Sequence, residues 1–487
     1  MTTIPLTVKD AGARLRDGEL SSVDLTRAVL ARADRLDGRL GTYLARFDER
    51  ALAAAAAADA ELAAGIDRGP LHGVPVAVKD ILAAREGPTT AQSLVLDPAW
   101  GAGRDAPVVA RLRAAGAVIT GKTTTAEFAC GMPDPTKPFP IPRNPWDLRT
   151  YPGGSSSGTG SGVAAGLFLA GVGTDTGGSI RMPSAYCGIS GLKATFGRVP
   201  KSGCTPLGYS LDHVGPMARS AWDCAAMLLA MAGRHPSDPD SAAVPVPDYV
   251  AALGGDGSLA GLRVGVDREH HFPPGVDPEL APRFEAALAE LEALGATLVD
   301  VSLPYWQEMN TATMLILAAE GAAYHRQDLL ARWDDYFLAS RALLARGVSV
   351  SGADVVQAHR VRRVAQRSLE ALFATVDVVV GPTAAGGAIA YDEHDRLVAI
   401  DQLIKGLFTP YWNAAGCPAL VVPMGFTQGG LPLSLQLAGR PFEEALLFRM
   451  GDAYQRVTDW HLRVPPVAAE APGPALPQRG EGDLVRR

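Results

Sequence analysis

Cysteine is scarce. The five present, Cys130, Cys187, Cys204, Cys224 and Cys417, are odd in number, and none stands in a C-x-x-C pair. A disulfide framework or a cysteine-based zinc site is therefore not expected, and the thiols read as small buried hydrophobes of a reducing compartment. No apolar run approaches the ~20 residues of a membrane span. The opening residues, MTTIPLTVKDAGARL, lack a basic segment followed by an apolar one. No secretory leader is expected, and the cytoplasm is the default location. Basic charge is short as well. The net charge is −7, and the one basic cluster, Arg360 to Arg367, reads as a solvated helix face. Direct nucleic-acid binding through a basic surface is not expected. Finally, none of the nine histidines stands in a motif that marks a catalytic base.

What is present describes a globular chain. With 47% hydrophobic and 20% charged residues, its 487 residues can bury a large core. Periodicity predicts two helices within residues 5–37 and others over 49–64, 106–115, 278–294 and 443–456, with 305–375 mostly helical. Strands are expected at 71–77, 117–119, 261–267, 296–301, 376–380, 420–424 and 433–437. Helix and strand alternate, which predicts the α/β class. Residues 211–220 read as a turn leading to a helix from about Ala221, and 235–256 as a surface linker. Residues 465–487, rich in Pro, Gly and Ala, read as a loose tail. No internal repeat is found.

The chain is organised around Tyr151 to Val199. Two small-residue turns carry serine, Gly153 to Gly158 and Thr174 to Ser179, on either side of an apolar segment, Val163 to Val172. Glycine–serine text is usually linker, but here it is interleaved with Val, Leu, Phe and Ile, which predicts packing. Gly154 to Gly158 matches G-x-S-x-G, yet the preceding DLRTYPG does not read as the strand a nucleophile elbow needs. Gly160-x-Gly162-x-x-Ala165 imitates a dinucleotide fingerprint with the same defect. The second turn, DTGGSI, suits a nucleophile at Ser179. The N–H groups of Thr176, Gly177 and Gly178 can converge on one point as a nest for an oxyanion. Its plainer reading is an ordinary strand-to-helix turn. Lys79, at the end of an apolar run, is either a solvated strand-end lysine or a buried one whose pKa falls on desolvation.

A family resemblance decides between these readings. GVPVAVKD (Gly73 to Asp80), NPWD (Asn144 to Asp147), PGGSSSG (Pro152 to Gly158), GTDTGGSIRMPSAYCGISGLKATFGRV (Gly173 to Val199), LDHVGPMARS (Leu211 to Ser220) and the piece from Gly416 to Gly439 resemble the amidase signature family, over about residues 5–462. The resemblance implies an α/β fold in which a large, mixed, mostly parallel sheet lies between helices. It implies one domain over 1–464, with its core at about 60–240 and 376–462 and a helical cap at about 305–375. It also implies a Ser–cis-Ser–Lys triad: Ser179 as nucleophile, Ser155 as bridging serine after a cis peptide bond, and Lys79 as base. Thr176, Gly177 and Gly178 would hold the oxyanion, and Ser156, Asp175 and Arg181 would orient the turns. No metal or organic cofactor is implied.

Two positions depart from common family wording, Ile81 where asparagine often follows VKD, and Thr159. Neither removes a triad member. Met182, Tyr151, Tyr411 and Trp412 are expected around the substrate, and no arginine there is dedicated to a substrate carboxylate. An uncharged, aryl or hydrophobic amide is thus the expected substrate, with anilides, esters or carbamates also accepted. The expected state is a monomer or homodimer with a small-molecule substrate. The alternative is the glutaminase component of a tRNA-dependent amidotransferase, which shares the triad and needs partner subunits and an ammonia exit. The intact triad argues against a non-enzymatic binding protein on the same fold.

Overall fold

Runs of buried β-branched residues pair into one 11-stranded sheet, ordered β1-β3-β2-β4-β6-β5-β10-β11-β9-β7-β8, in a computed structural model that describes residues 7–391 and 406–470. The strands are β1 Tyr43–Arg46, β2 Pro75–Lys79, β3 Val118–Thr123, β4 Ala170–Asp175, β5 Ser190–Lys193, β6 His213–Ala218, β7 Arg263–Val266, β8 Thr297–Asp300, β9 Val378–Pro382, β10 Ala419–Phe426 and β11 Pro432–Gly439. The sheet is mixed, as expected, but among the described residues antiparallel strand pairs outnumber parallel ones, six to four, because the central strands and the β1 edge pair antiparallel. Parallel pairing joins β3, β2 and β4 on one flank and β9, β7 and β8 on the other. The strands between them pair antiparallel.

Side chains alternate across the strands, so both sheet faces carry core. Val76 and Val78 join one apolar cluster and Ala77 another. Val378 and Val380 likewise part from Val379. Helices cover both faces. The first half of the chain supplies α1 Val8–Arg16, α2 Ser22–Leu40, α3 Asp48–Ala63, α4 Pro107–Ala114, α5 Ser157–Ala165, α6 Arg181–Cys187 and α7 Ala221–Met231. The second half supplies α8 Leu280–Ala293, α9 Trp306–Ala331, α10 Leu338–Val348, α11 Gly352–Leu372, α12 Pro410–Ala415, α13 Glu444–Val457 and α14 Pro466–Ala469. Local chemistry sets several ends. Ser21 accepts from the Asp24 amide to start α2, and Gly41 closes it in the left-handed region. Ser220 and Asp223 form a reciprocal capping box on α7.

Four sequence readings change. Leu211 to Ser220, read as a turn, contains β6. Its Gly215 and Pro216 imitate turn residues, but the strand is buried throughout and pairs with β4 and β5. Val163 to Val172 is not one segment: Gly166 closes α5 in the left-handed region, and β4 begins at Ala170. Within the proposed tail, residues 466–469 form α14, whose Val467 and Ala468 are buried and whose Ala468 carbonyl accepts from Arg32 at 2.8 Å; the remainder from 471 lies outside the described residues. The basic cluster is not wholly solvated either. Arg362 turns inward and donates to the Ala414 carbonyl at 2.7 Å.

Candidate active site

Parallel strands end on the same edge of a sheet, and side chains meet there. β2 and β4 are such neighbours, with Val78 opposite Val172. Lys79, the last residue of β2, therefore comes beside Thr174 near the end of β4. Lys79 Nζ donates to Thr174 Oγ1 at 2.7 Å and to Ser155 Oγ at 2.7 Å. The Gly154–Ser155 bond is cis. Lys79 is fully buried, and desolvation lowers its pKa to about 7 against the pull of Cys204, Asp175 and Asp212. Thr174, its second partner, has no signal in the sequence beyond its place in the turn.

α5 presents the serine loop to β4. Its sequence, SGTGSGVAA, is poor helix text, yet all nine residues are buried. The small residues permit the approach: a Cβ on Gly158 would lie 2.3 Å from the Thr42 carbonyl oxygen. Ser156 stitches the loop to β4 and to the second turn. Its Oγ accepts from the Thr174 amide at 3.2 Å, and its own amide donates to the Ser179 carbonyl at 3.2 Å. Ser156 is thus a fully buried strut rather than an exposed elbow nucleophile.

Asp175 and Arg181 form a buried pair behind the second turn. Arg181 donates to both carboxylate oxygens of Asp175 at 3.0 Å, to Asn413 Oδ1 at 2.6 Å, to Gln436 Oε1 at 2.8 Å and to the Thr409 carbonyl at 2.9 Å. Burial alone would raise the Asp175 pKa. The Arg181 charge and the hydrogen bonds from Arg181 and Asn413 overturn that and hold it well below the usual carboxylate range. Asp175 also accepts from the amides of Gly178 at 2.8 Å and Ile180 at 3.2 Å. This corrects the expected oxyanion nest. The Gly178 N–H is already committed to Asp175, which leaves the amides of Thr176, Gly177 and Ser179 for that role.

Ser155, Thr176, Gly177, Gly178, Ser179 and Met182 line one cavity of about 110 Å³. Ala129, Cys130 and Gly131 form another part of its wall. Met314 and Leu317 of α9, Ala339 and Leu343 of α10, then Leu207, Leu407 and Pro410, close the rest. No charged side chain lines it among the described residues. A second cavity of about 170 Å³ lies behind the turn, meets the first at Ala129, Thr176 and Leu207, and is lined by Thr174, Lys201, Asp212 and His213 among others.

Three expected pocket residues sit elsewhere. Tyr151 lies beneath the serine loop, fully buried, its hydroxyl 3.5 Å from Ser157 Oγ. Tyr411 stacks on Trp306 and donates to the Pro304 carbonyl at 3.0 Å, and Trp412 packs edge-on against Tyr411. The residues at the start of α12 that meet the site are instead Thr409, which precedes the helix, Pro410 and Asn413. Helical spacing of four residues sets 409 and 413 together, the one signal that points to them. Within the expected helical cap at 305–375, Met314 lines the cavity, while Met309 and Tyr336 are buried in the core behind it.

Comparison with known proteins gives this fold its relatives. A family model described as Amidase matches residues 24–448. A glutamyl-tRNA(Gln) amidotransferase component of Roseiflexus sp. (strain RS-1) is 41% identical, covering 96% of this chain and 99% of its own. Among solved structures, the native peptide amidase of Stenotrophomonas maltophilia superposes with a TM-score of 0.82 at 34% identity, over 94% of this chain and 98% of that one. A bacterial aryl acylamidase of the amidase signature enzymes superposes at 0.84 over 96% and 99% of the two chains, and at 23% identity it shows a common fold.

Proposed function

Given that this chain belongs to the Amidase family, we propose that it hydrolyses the C–N bond of an uncharged linear amide through a seryl acyl-enzyme. Ser179 is the nucleophile, Ser155 the proton relay and Lys79 the base. A serine needs a partner to take its proton. Neutral Lys79 takes the proton of Ser155, which takes that of Ser179 as its Oγ attacks the carbonyl. The tetrahedral oxyanion faces the Gly177 and Ser179 amides, with Thr176 beside them. The proton on Lys79 then returns through Ser155 to the departing nitrogen, which must be protonated because an amine anion leaves poorly. Water repeats the cycle on the ester. The observation that carries this reading is the 2.7 Å contact between Ser155 and a fully buried lysine lowered to about 7, on the wall that also bears Ser179.

The apolar lining supports an aryl or hydrophobic substrate, since a buried charge without a partner costs several kcal/mol. Anilides, esters and carbamates fit the same site chemistry. Ser179→Ala and Lys79→Ala are expected to stay folded and to lose activity by about 10³-fold or more. Initial rates on an aliphatic amide, an anilide, an aryl carbamate, a p-nitrophenyl ester and glutamine test it. Full activity in either variant would remove the triad.

A second reading is favoured by the relatives. The 41% identity to a glutamyl-tRNA(Gln) amidotransferase component supports a glutaminase that works with partner subunits. In that reading the second cavity, which meets the first at Thr176, offers the small leaving group a way out. Turnover confined to glutamine would establish it.

A further inference from the structure

We propose that Thr409 is a positioning residue for the oxyanion turn, a role that rests on reading Ser179 as the nucleophile. The Gly177–Gly178 peptide is held at both ends. Thr409 Oγ1 donates to the Gly177 carbonyl at 2.7 Å, and the Gly178 amide donates to Asp175 Oδ1 at 2.8 Å. A peptide unit is planar, so fixing its C=O and its N–H fixes the plane. The flanking amides, Gly177 N–H and Ser179 N–H, are aimed by that plane. Both residues of the unit are glycines, and without the clamp their dihedrals are the softest in the turn.

The contact is built rather than incidental. Thr409 is fully buried. Its own carbonyl accepts from Arg181 at 2.9 Å, so the guanidinium that fixes Asp175 also fixes the residue that fixes Gly177. Asn413, one turn further along α12, donates to the Asp175 carbonyl at 3.1 Å and to Asp175 Oδ1 at 2.8 Å. Gly178 and Thr409 are also matched in shape. Gly178 has φ 134°, and a Cβ there would lie 2.2 Å from Thr409 Oγ1. The hydroxyl occupies the space that any side chain at 178 would need. Leu407 and Pro410, close to Thr409 on either side, line the substrate cavity. One short segment therefore both walls the cavity and holds the turn whose amides would act on a substrate carbonyl.

The test measures labelling of Ser179 by a fluorophosphonate, which passes through an oxyanion-like centre and needs no knowledge of the natural substrate. Thr409→Val removes the hydroxyl at nearly constant volume, and Thr409→Ala is a second variant that avoids crowding. Both are expected to lower the maximal labelling rate by about 10–100-fold while the half-saturating concentration stays within about twofold, because oriented donors act on the transition state. Thr409→Ser keeps the donor and is expected within about threefold of the parent. Parent-like labelling by both Val and Ala variants would overturn the proposal. So would a changed half-saturating concentration at an unchanged maximal rate, which would make Thr409 a wall residue. A Ser variant as slow as Val, with an equally lowered melting temperature, would reduce Thr409 to a structural role. If the parent itself forms no adduct at Ser179 by intact mass, the nucleophile reading fails before the clamp is reached.

Discussion

In the proposed mechanism a single charge, that of Lys79, decides the chemistry. Its pKa, lowered to about 7 by burial, puts the neutral amine within reach of neutral pH. The base form is the deprotonated one, so kcat/KM is expected to rise about tenfold per pH unit below 7 and to level off above it. A flat profile between pH 6 and 9 would remove Lys79 as the base. A second buried lysine, Lys193, is also lowered to about 7, by burial first and then by the Arg181 charge. Its Nζ donates to the carbonyls of Ala194, at 3.2 Å, and Cys417, and it lies 3.4 Å from His213 Nε2. That surrounding holds strand ends together and offers no serine to activate. Burial alone thus does not make a base; the proposed role of Lys79 rests on its serine partner at 2.7 Å.

α10 contributes Ala339 and Leu343 to the cavity, and its start is tied to the opposite wall. Glu127, in the turn that leads to Ala129 and Cys130, accepts from Ser93 Oγ at 2.6 Å and from the Phe337 amide at 2.7 Å. Ser340 Oγ donates to the Cys130 carbonyl at 3.0 Å. Burial raises the Glu127 pKa to about 7, against the hydrogen bonds of Ser93, Phe337 and Ser340 and the charge of Lys137. Its unfolded value is near 4.5. Between those values the folded state binds more protons than the unfolded one, so this group lowers stability as pH rises from 4.5 to 7. Glu127→Gln is expected to remove about 1–3 kcal/mol of that loss, read as urea midpoints at pH 5 and pH 7. An unchanged pH dependence would show that the carboxylate is already ionised in the fold. Lys79 acts in the other window: its unfolded state binds more protons between 7 and 10.5, and stability recovers as pH rises through it.

At the scale of the whole molecule, the cavity belongs to no single segment. The turn after β4, the 129–131 stretch, α9, α10, Leu407 and Pro410 each supply a wall. The sheet makes this possible. β5 pairs with β10 and so joins the strands of the first half of the chain to those of the second. With mostly apolar walls and no charged side chain among the described lining residues, the proposed site is expected to discriminate on charge. A carboxylate added to the acyl side of an accepted anilide is expected to raise KM by about tenfold or more, since desolvating it without a partner costs ~1.4 kcal/mol at the least. Equal KM values for the charged and neutral anilides would mean that a cation reaches the pocket.

The sequence by itself carried the α/β class, most helices and strands, and the resemblance of paired serine turns with an upstream lysine. Those features are local: apolar periodicity, capping serines such as Ser21 and Ser220, and contiguous motif text from Gly73 to Ser220. Tertiary structure alone decided what depends on residues far apart in the chain. It made a buried strand of HVGPMA, because pairing on both edges outweighs the turn propensity of Gly215 and Pro216. It made a helix of SGTGSGVAA, because close approach of Thr42 and Thr124 rewards the missing side chains. It took the Gly178 amide for Asp175, turned Tyr411 and Trp412 into the core, and brought Thr409 to Gly177 across 232 residues. A hydrogen bond is specific to distance and angle, and no spacing along the chain encodes either across such a separation.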